Sequence, residues 1–364
     1  MRASFLPSWS AAILFGTLIS SPFSSTSAFQ EAAPAAAPTA PAAPAAPAVP
    51  ETNQWVTSLS LDPSGTQIWA TMAQGLLLRA GQVARSPLDA PGTLEKIYET
   101  PTSAWAVAVV PEANSLVSID YKGKLLRSDI GTPNTTNPIE VPMRWARCIL
   151  PVGEGRFVTG TEDGKLLDIH LPDGAVVKQW DGHKAAVHNI VLSPDKALLA
   201  SAGGDGLIKI WNRADGAEVK SLAAGKAAVW DIVFTRDGSH LVSADSERRL
   251  NLYEVASGKL KMTLQMLPDW GTSISLHPTE NVVAVACMNG SVHFYDLVSQ
   301  RRVGSWNGVG SGAWDIMFTP DGSKVLVATR KHGVQSVAAD VWTAPLQAAR
   351  AEAAAEAPPA PAAS

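Results

Sequence analysis

The sequence predicts an all-β fold, a seven-bladed β-propeller with four antiparallel strands per blade, and three observations support this. The first is a short apolar run ending in a turn, which recurs with turn positions at Pro63, Pro111, Pro151, Pro194, Arg236, Pro278 and Pro320. These positions are 48, 40, 43, 42, 42 and 42 residues apart. A period of about 40–45 residues is the length of a propeller blade.

The second observation is a glycine about twelve residues after most of these turns. Six of the seven units have it, and the fifth unit has Arg248 instead; the glycines are Gly75, Gly123, Gly164, Gly206, Gly290 and Gly333. A tight hairpin between two strands needs a positive φ, which glycine adopts without strain. We therefore expect a hairpin at this point of every unit.

The third observation is that each unit repeats the same order of four runs. A second apolar run such as 197–203 follows the turn, a third begins directly after the glycine, and a more polar fourth run such as 175–180 ends the unit. Radial repetition of four-stranded sheets leaves only short, protected edges. The sequence therefore predicts one propeller over residues 51–346.

The segments on either side of the propeller have a different composition. Residues 1–28 predict a cleaved signal peptide, with Arg2, an apolar run over 11–19 and small residues up to Ala28. The apolar run is about half of the roughly 20 residues that a spanning helix needs, which disfavours an uncleaved anchor. Residues 29–50 and 347–364 are rich in Ala and Pro and predict a disordered linker and a disordered tail. An Ala/Glu stretch in the tail leaves a short helix as an alternative.

This organisation predicts a periplasmic or secreted protein with no membrane span in the mature chain. How the ring of blades closes is left open between two candidates. The last blade takes its fourth strand either from residues 48–54 (AVPETNQ) or from residues 340–346 (DVWTAPL).

The fourth unit resembles a complete WD40 repeat. It reads WDGHKAAVHNIVLSPDKALLASAGGDGLIKIWNR over 180–213 and contains His183, Ser201, Asp205 and Trp211. The resemblance implies that these four side chains form a structural hydrogen-bonded tetrad within the blade. Together with the predicted signal peptide, the resemblance implies that the chain is an exported, bacterial-type member of the WD40-repeat propeller family. The fold hosts many unrelated functions, so the resemblance indicates little about the role.

Composition and motifs disfavour several classes of function. A net charge of −4 and a pI near 6.0 argue against a nucleic-acid surface. The chain has no G-x-S-x-G, no H-E-x-x-H and no Gly-rich phosphate loop, and its seven histidines are scattered among the units. We therefore expect no catalytic residues, no cofactor and no metal site.

One ring of residues is the candidate binding site. Most units place a tryptophan at or near the position six residues before the turn, which is the start of the innermost strand, and one unit places a histidine there. The predicted rim is Trp55, Trp105, Trp145, His188, Trp230, Trp270 and Trp314. Such residues either pack between blades and fill the channel or form an exposed surface of the kind found at interface hot spots. The neighbouring Asp231 and Asp315 are interpreted as solvated or capping carboxylates rather than as metal ligands.

The leading hypothesis is a non-catalytic protein-interaction scaffold that acts outside the cytoplasm as a monomer, with one or more protein partners of unknown identity. The first alternative is binding of a sugar or a quaternary ammonium group at the tryptophan rim, by stacking and cation–π attraction. A less favoured alternative is a metal-dependent propeller hydrolase or lactonase.

Overall fold

The computed structural model describes residues 55–356 except 76–77, 142–144, 172 and 309. Within them the chain forms seven antiparallel sheets in sequence order, and the predicted seven-bladed propeller is confirmed. The predicted signal peptide (1–28), the linker (29–50), the closing segment 48–54 and the end of the tail (357–364) lie outside the described residues.

The first four blades contain four strands each. Blade 1 consists of β1 (Trp55–Leu61), β2 (Gln67–Ala73), β3 (Gly81–Pro87) and β4 (Glu95–Thr100). Blade 2 consists of β5 (Ala104–Val110), β6 (Ser115–Asp120), β7 (Leu125–Asp129) and β8 (Thr132–Ile139). Blade 3 consists of β9 (Ala146–Gly153), β10 (Arg156–Thr161), β11 (Lys165–His170) and β12 (Val176–Asp181). Blade 4 consists of β13 (Val187–Leu192), β14 (Leu198–Gly203), β15 (Leu207–Asn212) and β16 (Glu218–Ala223).

The remaining three blades lead to a C-terminal helix. Blade 5 consists of β17 (Val229–Phe234), β18 (His240–Asp245), β19 (Arg249–Glu254) and β20 (Leu260–Met266). Blade 6 consists of β21 (Gly271–Leu276), β22 (Val282–Cys287), β23 (Val292–Asp296) and β24 (Arg301–Trp306). Blade 7 has three strands among the described residues, β25 (Ala313–Phe318), β26 (Lys324–Thr329) and β27 (Val334–Ala338). Helix α1 (Asp340–Glu356) follows.

The predicted hairpin turns are confirmed. All six glycines have a positive φ, between 65° at Gly333 and 88° at Gly290. Arg248, at the same place in blade 5, adopts a φ of 65° in spite of its side chain. At Gly206 a Cβ would also lie 2.3 Å from the carbonyl oxygen of Gly225, so both sterics and backbone conformation require glycine there.

The ring of blades is closed. Each innermost strand contacts the innermost strands of both neighbouring blades, and β25 contacts β1. An apolar core crosses this last junction, where Leu326 and Val334 of blade 7 pack with Val56 and Ile68 of blade 1. Burial between successive sheets therefore continues around the whole disc.

Helix α1 corrects two expectations about the C-terminal segment. Residues 340–346 begin this helix, so they do not supply the closing strand of blade 7. Residues 347–356, predicted as disordered tail, continue the helix and pack on β24. Trp342, only 1% exposed, stacks on Phe294 at a ring-centroid distance of 4.5 Å and meets Phe318 edge-on at 5.5 Å. The alternative prediction of a short helix in the Ala/Glu stretch is therefore the correct one. The helix forms because it buries the Trp342 side chain against blades 6 and 7.

Charged contacts hold the second half of the helix. The Arg350 guanidinium donates to Asp296 Oδ1 at 2.9 Å and to Glu280 Oε2 at 2.9 Å. Asp296 also accepts hydrogen bonds from the backbone N–H and the hydroxyl of Ser299. Burial opposes ionisation of Asp296, yet the hydrogen bonds from Arg350 and Ser299 hold its pKa below the usual 3.8.

We expect the docking of α1 to weaken in acid. Because the folded-state pKa of Asp296 is lowered, its contribution to stability is present above pH 3.8 and is lost as the pH falls through the folded-state pKa. Hydrogen exchange of the α1 amides, corrected for the pH dependence of intrinsic exchange, should show falling protection below about pH 4. In Asp296→Asn the protection should be weaker at neutral pH and should fall less steeply over this acid range, because the glutamate partner of Arg350, Glu280, still becomes protonated there. An equal decline of protection in both proteins would show that Asp296 is not the group that weakens the docking of α1 in acid.

No helix in the described part of the chain is long and apolar enough to cross a membrane.

Candidate functional site

Every innermost strand begins with a β-bulge, and the bulged residues form a ring around the channel. The register shifts at the equivalent point in all seven blades, for example between Val187 and Asn189 in blade 4. A bulge leaves one residue unpaired and changes the direction of its side chain. The bulge ring consists of Thr57, Trp105, Arg147, His188, Trp230, Thr272 and Trp314. The end of the channel where these strands begin is called the channel mouth.

The structure corrects the predicted ring in blade 3, where Arg147 and not Trp145 occupies the bulge. Ala146 pairs with Thr161 and Ile149 with Thr159, which places Arg147 in register with His188 of blade 4. In blade 3 the position equivalent to Pro194 is Gly153. Pro151, from which the sequence predicted Trp145, lies two residues before that position. The interval from Pro111 to Gly153 is 42 residues, which matches the other blades better than 40. This spacing was the signal that could have revealed Arg147.

Trp145 stays at the channel mouth, but one level further out. Its carbonyl accepts the backbone N–H of Glu162, as the carbonyl of Trp270 accepts that of Met288 in blade 6. In the register of β1, Trp55 occupies this same level. The mouth therefore carries an outer level with three tryptophans, Trp55, Trp145 and Trp270, in front of the bulge ring.

Three of the predicted rim residues pack together and fill part of the channel. Trp55, Trp105 and Trp314, here called the Trp triad, are 6%, 6% and 8% exposed. Their ring centroids are 5.2–6.0 Å apart, in tilted and edge-to-face arrangements. Such contacts between aromatic rings stabilise the fold by more than the apolar area they bury. The triad thus fits the interpretation of these residues as channel filling.

The other four predicted rim residues, Trp145, His188, Trp230 and Trp270, are half-buried and offer surface at the mouth. The His188 ring lies parallel to that of Trp230 with centroids 4.5 Å apart, and Trp230 lies nearly parallel to Trp270 at 6.4 Å. The Cζ of Arg147 is 4.7 Å from the Trp230 centroid, 5.5 Å from that of Trp105 and 6.0 Å from that of Trp145. These residues form one continuous surface in which a guanidinium is surrounded by aromatic rings.

Three polar residues of the bulge ring each link their blade to the next one. Thr57 Oγ1 donates to the carbonyl of Ala104 at 2.7 Å, and Thr272 Oγ1 donates to that of Ala313 at 2.7 Å. His188 Nδ1 lies 2.9 Å from the carbonyl oxygen of Val229 and must donate its proton there, because a carbonyl only accepts. Burial, with the nearby Arg147, lowers the pKa of His188 to about 4, so the ring is neutral at pH 7.

Asp231 and Asp315, next to the bulge ring, cap backbone groups of the following blade. Asp231 Oδ2 accepts the N–H of Ile274 at 2.6 Å, and Asp315 Oδ2 accepts the N–H of Leu59 at 2.7 Å. Burial raises the pKa of Asp231 to about 7 and also raises that of Asp315, while these hydrogen bonds oppose the shift. Of the two expected roles, solvated or capping, the structure shows the second.

The tetrad implied for blade 4 is assembled. His183 Nδ1 lies 2.9 Å from Asp205 Oδ1, and His183 Nε2 lies 2.8 Å from Ser201 Oγ. Trp211 Nε1 donates to the same Ser201 hydroxyl at 2.9 Å. Asp205 also accepts the backbone N–H of Lys184, which joins the loop before β13 to the hairpin after β14. All four side chains hold the blade together.

The opposite end of the channel offers a different surface. Residues from the ends of the innermost strands of blades 3 to 6 line a depression of about 490 Å³, among them Leu150, Val191, Val233 and Leu276. Its lining is mostly apolar, in contrast to the aromatic and cationic mouth. Among the described residues, no three His, Cys, Asp or Glu side chains lie close enough together to hold a metal ion.

Comparison with known proteins agrees with this architecture. The family model described as WD40, "WD domain, G-beta repeat", matches residues 174–212, which run from β12 through β15. The chain is similar to WD40-repeat proteins. Over 123 residues it is 29% identical to "WD repeat-containing protein SL1-17" of Schistosoma mansoni, covering 33% of this chain and 40% of that protein.

Two further relatives match comparable stretches. The meiotic recombination protein rec14 of Schizosaccharomyces pombe is 25% identical over 113 residues, 31% of this chain and 37% of the relative. The serine-threonine kinase receptor-associated protein of Gallus gallus is 28% identical over 116 residues, 32% of this chain and 33% of the relative. The matches thus span well under half the length of each relative, and all three relatives come from eukaryotes.

Proposed function

We propose that this protein is a non-catalytic protein-interaction scaffold that acts outside the cytoplasm and binds its partner at the channel mouth. The observation that carries the proposal is the half-buried surface of Trp145, His188, Trp230 and Trp270 around Arg147. Tryptophan and arginine are the residues most enriched at energetic hot spots of protein interfaces. Rigid aromatic rings also lose little side-chain entropy when a partner covers them.

The same geometry disfavours a quaternary ammonium ligand. The guanidinium of Arg147 already lies against the rings of Trp105, Trp145 and Trp230. A second cation at those rings would be repelled by the first, and its desolvation would not be compensated. A polypeptide partner can instead combine apolar contact with groups that complement this charge.

Site-specific photocrosslinking tests the binding face. A benzophenone amino acid at position 270, on the channel mouth, should capture the same partner in repeated preparations from the native envelope or secreted fraction. The matched control places the crosslinker at Val219, which is 52% exposed on the outermost strand of blade 4. Replacing Trp145 with alanine in the position-270 protein should reduce the yield. Equal capture at both positions, or no reproducible partner at position 270, would count against this function.

Export is tested separately, since it rests on residues 1–28 alone. The mature protein is expected in the envelope or secreted fraction with an N-terminus at Phe29. An intact N-terminus on protein confined to the cytosolic fraction would overturn the proposed location and leave the binding face untouched.

A further inference from the structure

Building on the proposed function, we propose that the partner of the channel mouth is a polypeptide that presents a carboxylate to the guanidinium of Arg147. The surface is rich in hydrogen-bond donors and short of acceptors. Three observations lead to this proposal: the lack of an ionic partner for Arg147, the hydrogen bonds that occupy the nearby carboxylates, and the second guanidinium of Arg330.

Arg147 has aromatic neighbours but no ionic one. Its guanidinium lies within 6.0 Å of three tryptophan ring centroids. Among the residues that the structure describes, it makes no hydrogen bond or salt bridge. Burial lowers its pKa to about 10, so it is still charged at neutral pH. A half-buried cation with free N–H groups favours an incoming anion, because the aromatic faces satisfy its charge only in part.

The two carboxylates whose charge acts on Arg147, Asp231 and Asp315, cannot turn to pair with it without breaking hydrogen bonds between blades. Both oxygens of Asp231 are used, one by Ile274 and the other by Ile232 and the side chain of Asn189. Both oxygens of Asp315 are used as well, by Leu59, Ile316 and Ser273. The two carboxylates favour the positive charge of Arg147 from a distance and leave its donors free.

A second guanidinium, on the exposed Arg330, lies 5.3 Å from the Trp55 centroid and likewise has no carboxylate partner among the described residues. Aromatic faces satisfy these cations only in part, so the two guanidinium groups together favour a ligand that supplies acceptors.

A planar carboxylate suits this site. The guanidinium offers parallel N–H donors that match its two oxygens, and charge-assisted bonds of this kind are about twice as strong as neutral ones. The aromatic walls exclude water from the pair and leave apolar surface for the flanking residues of the partner. The carboxylate comes either from an Asp or Glu side chain or from a C-terminus, and the experiment separates these sources.

Selection of displayed random peptides on the full-length protein tests the proposal. One library has its random segment flanked on both sides, and the other ends in a free C-terminus. If the carboxylate belongs to a side chain, selection on the wild-type protein should enrich Asp and Glu in the flanked library. If it belongs to a C-terminus, binding peptides should be enriched from the library with the free C-terminus. The Arg147→Gln protein should lose this enrichment. The matched control Arg248→Gln removes an exposed arginine of the same face and should keep it.

Affinity measurements then give the size of the effect. A selected peptide should bind Arg147→Gln at least about tenfold more weakly than the wild type, as expected for loss of a charge-assisted pair. Its amide counterpart, with Gln for Glu or a C-terminal amide, should bind the wild type with a similar loss. Arg147→Lys keeps the charge without the planar guanidinium. Its affinity for the selected peptide should lie between those of the wild type and Arg147→Gln. Thermal melting of each variant checks that the propeller is folded.

Two results of the peptide selection would overturn the inference. One is the absence of acidic or C-terminal enrichment on the wild-type protein, and the other is equal enrichment on Arg147→Gln. Acetate that binds as tightly as the selected peptide would assign the site to small free carboxylates instead. If photocrosslinking at position 270 captures its partner equally well in Arg147→Gln, the scaffold function stands and the carboxylate inference fails.

Discussion

Replacing Trp342 with alanine is expected to lower the free energy of unfolding by about 3–5 kcal/mol. Trp342 is 1% exposed and joins α1 to two blades, through Phe294 of blade 6 and Phe318 of blade 7. The substitution removes the largest side chain of this core and leaves a cavity that the rigid sheets cannot close. Urea denaturation followed by circular dichroism measures the loss.

The control for this substitution is Gln347→Ala on the exposed side of the same helix. It should change the free energy of unfolding by less than about 0.5 kcal/mol. Hydrogen exchange locates the effect, because Trp342→Ala should expose the amides of α1 and β24 more than those of blades 2 to 4. A loss below about 1 kcal/mol for Trp342→Ala would show that the helix adds little to the propeller.

Replacing Asp315 with alanine is expected to lower the free energy of unfolding by roughly 2–3 kcal/mol. This carboxylate accepts the N–H of Leu59 in blade 1 and the hydroxyl of Ser273 in blade 6, and so connects three consecutive blades. Its removal leaves buried donors without an acceptor. The unfavourable burial that raises its pKa offsets part of the loss.

Asp231→Ala is the matched comparison, because Asp231 makes the equivalent bond from blade 5 to Ile274 of blade 6. Both variants lose an inter-blade cap, but only Asp315 lies at the junction between the last blade and the first. Denaturation with hydrogen exchange should show greater opening of β1 and β25 in Asp315→Ala than in Asp231→Ala. Equal exchange at these strands would mean that the apolar core of this junction closes the ring by itself.

Much of the fold follows from local features of the sequence. The turn period, the hairpin glycines and the repeated order of strands each reflect a local requirement of a blade, and they predicted seven sheets correctly. The tetrad of blade 4 was also predicted, since its four residues lie within 30 positions of one another. Arg248 shows the limit of such rules, because the hairpin imposes a positive φ on it despite the missing glycine.

The sequence by itself determined the repeat and the concentration of tryptophan at one end of the channel. Only the tertiary structure decided which tryptophans fill the channel and which offer surface, because that depends on how seven distant strands meet. It also revealed Arg147, whose place in the bulge ring depends on the register of β9 rather than on the nearest proline. The docking of α1 was decided in the same way, since Phe294 and Phe318 are brought to Trp342 only when blades 6 and 7 pack together.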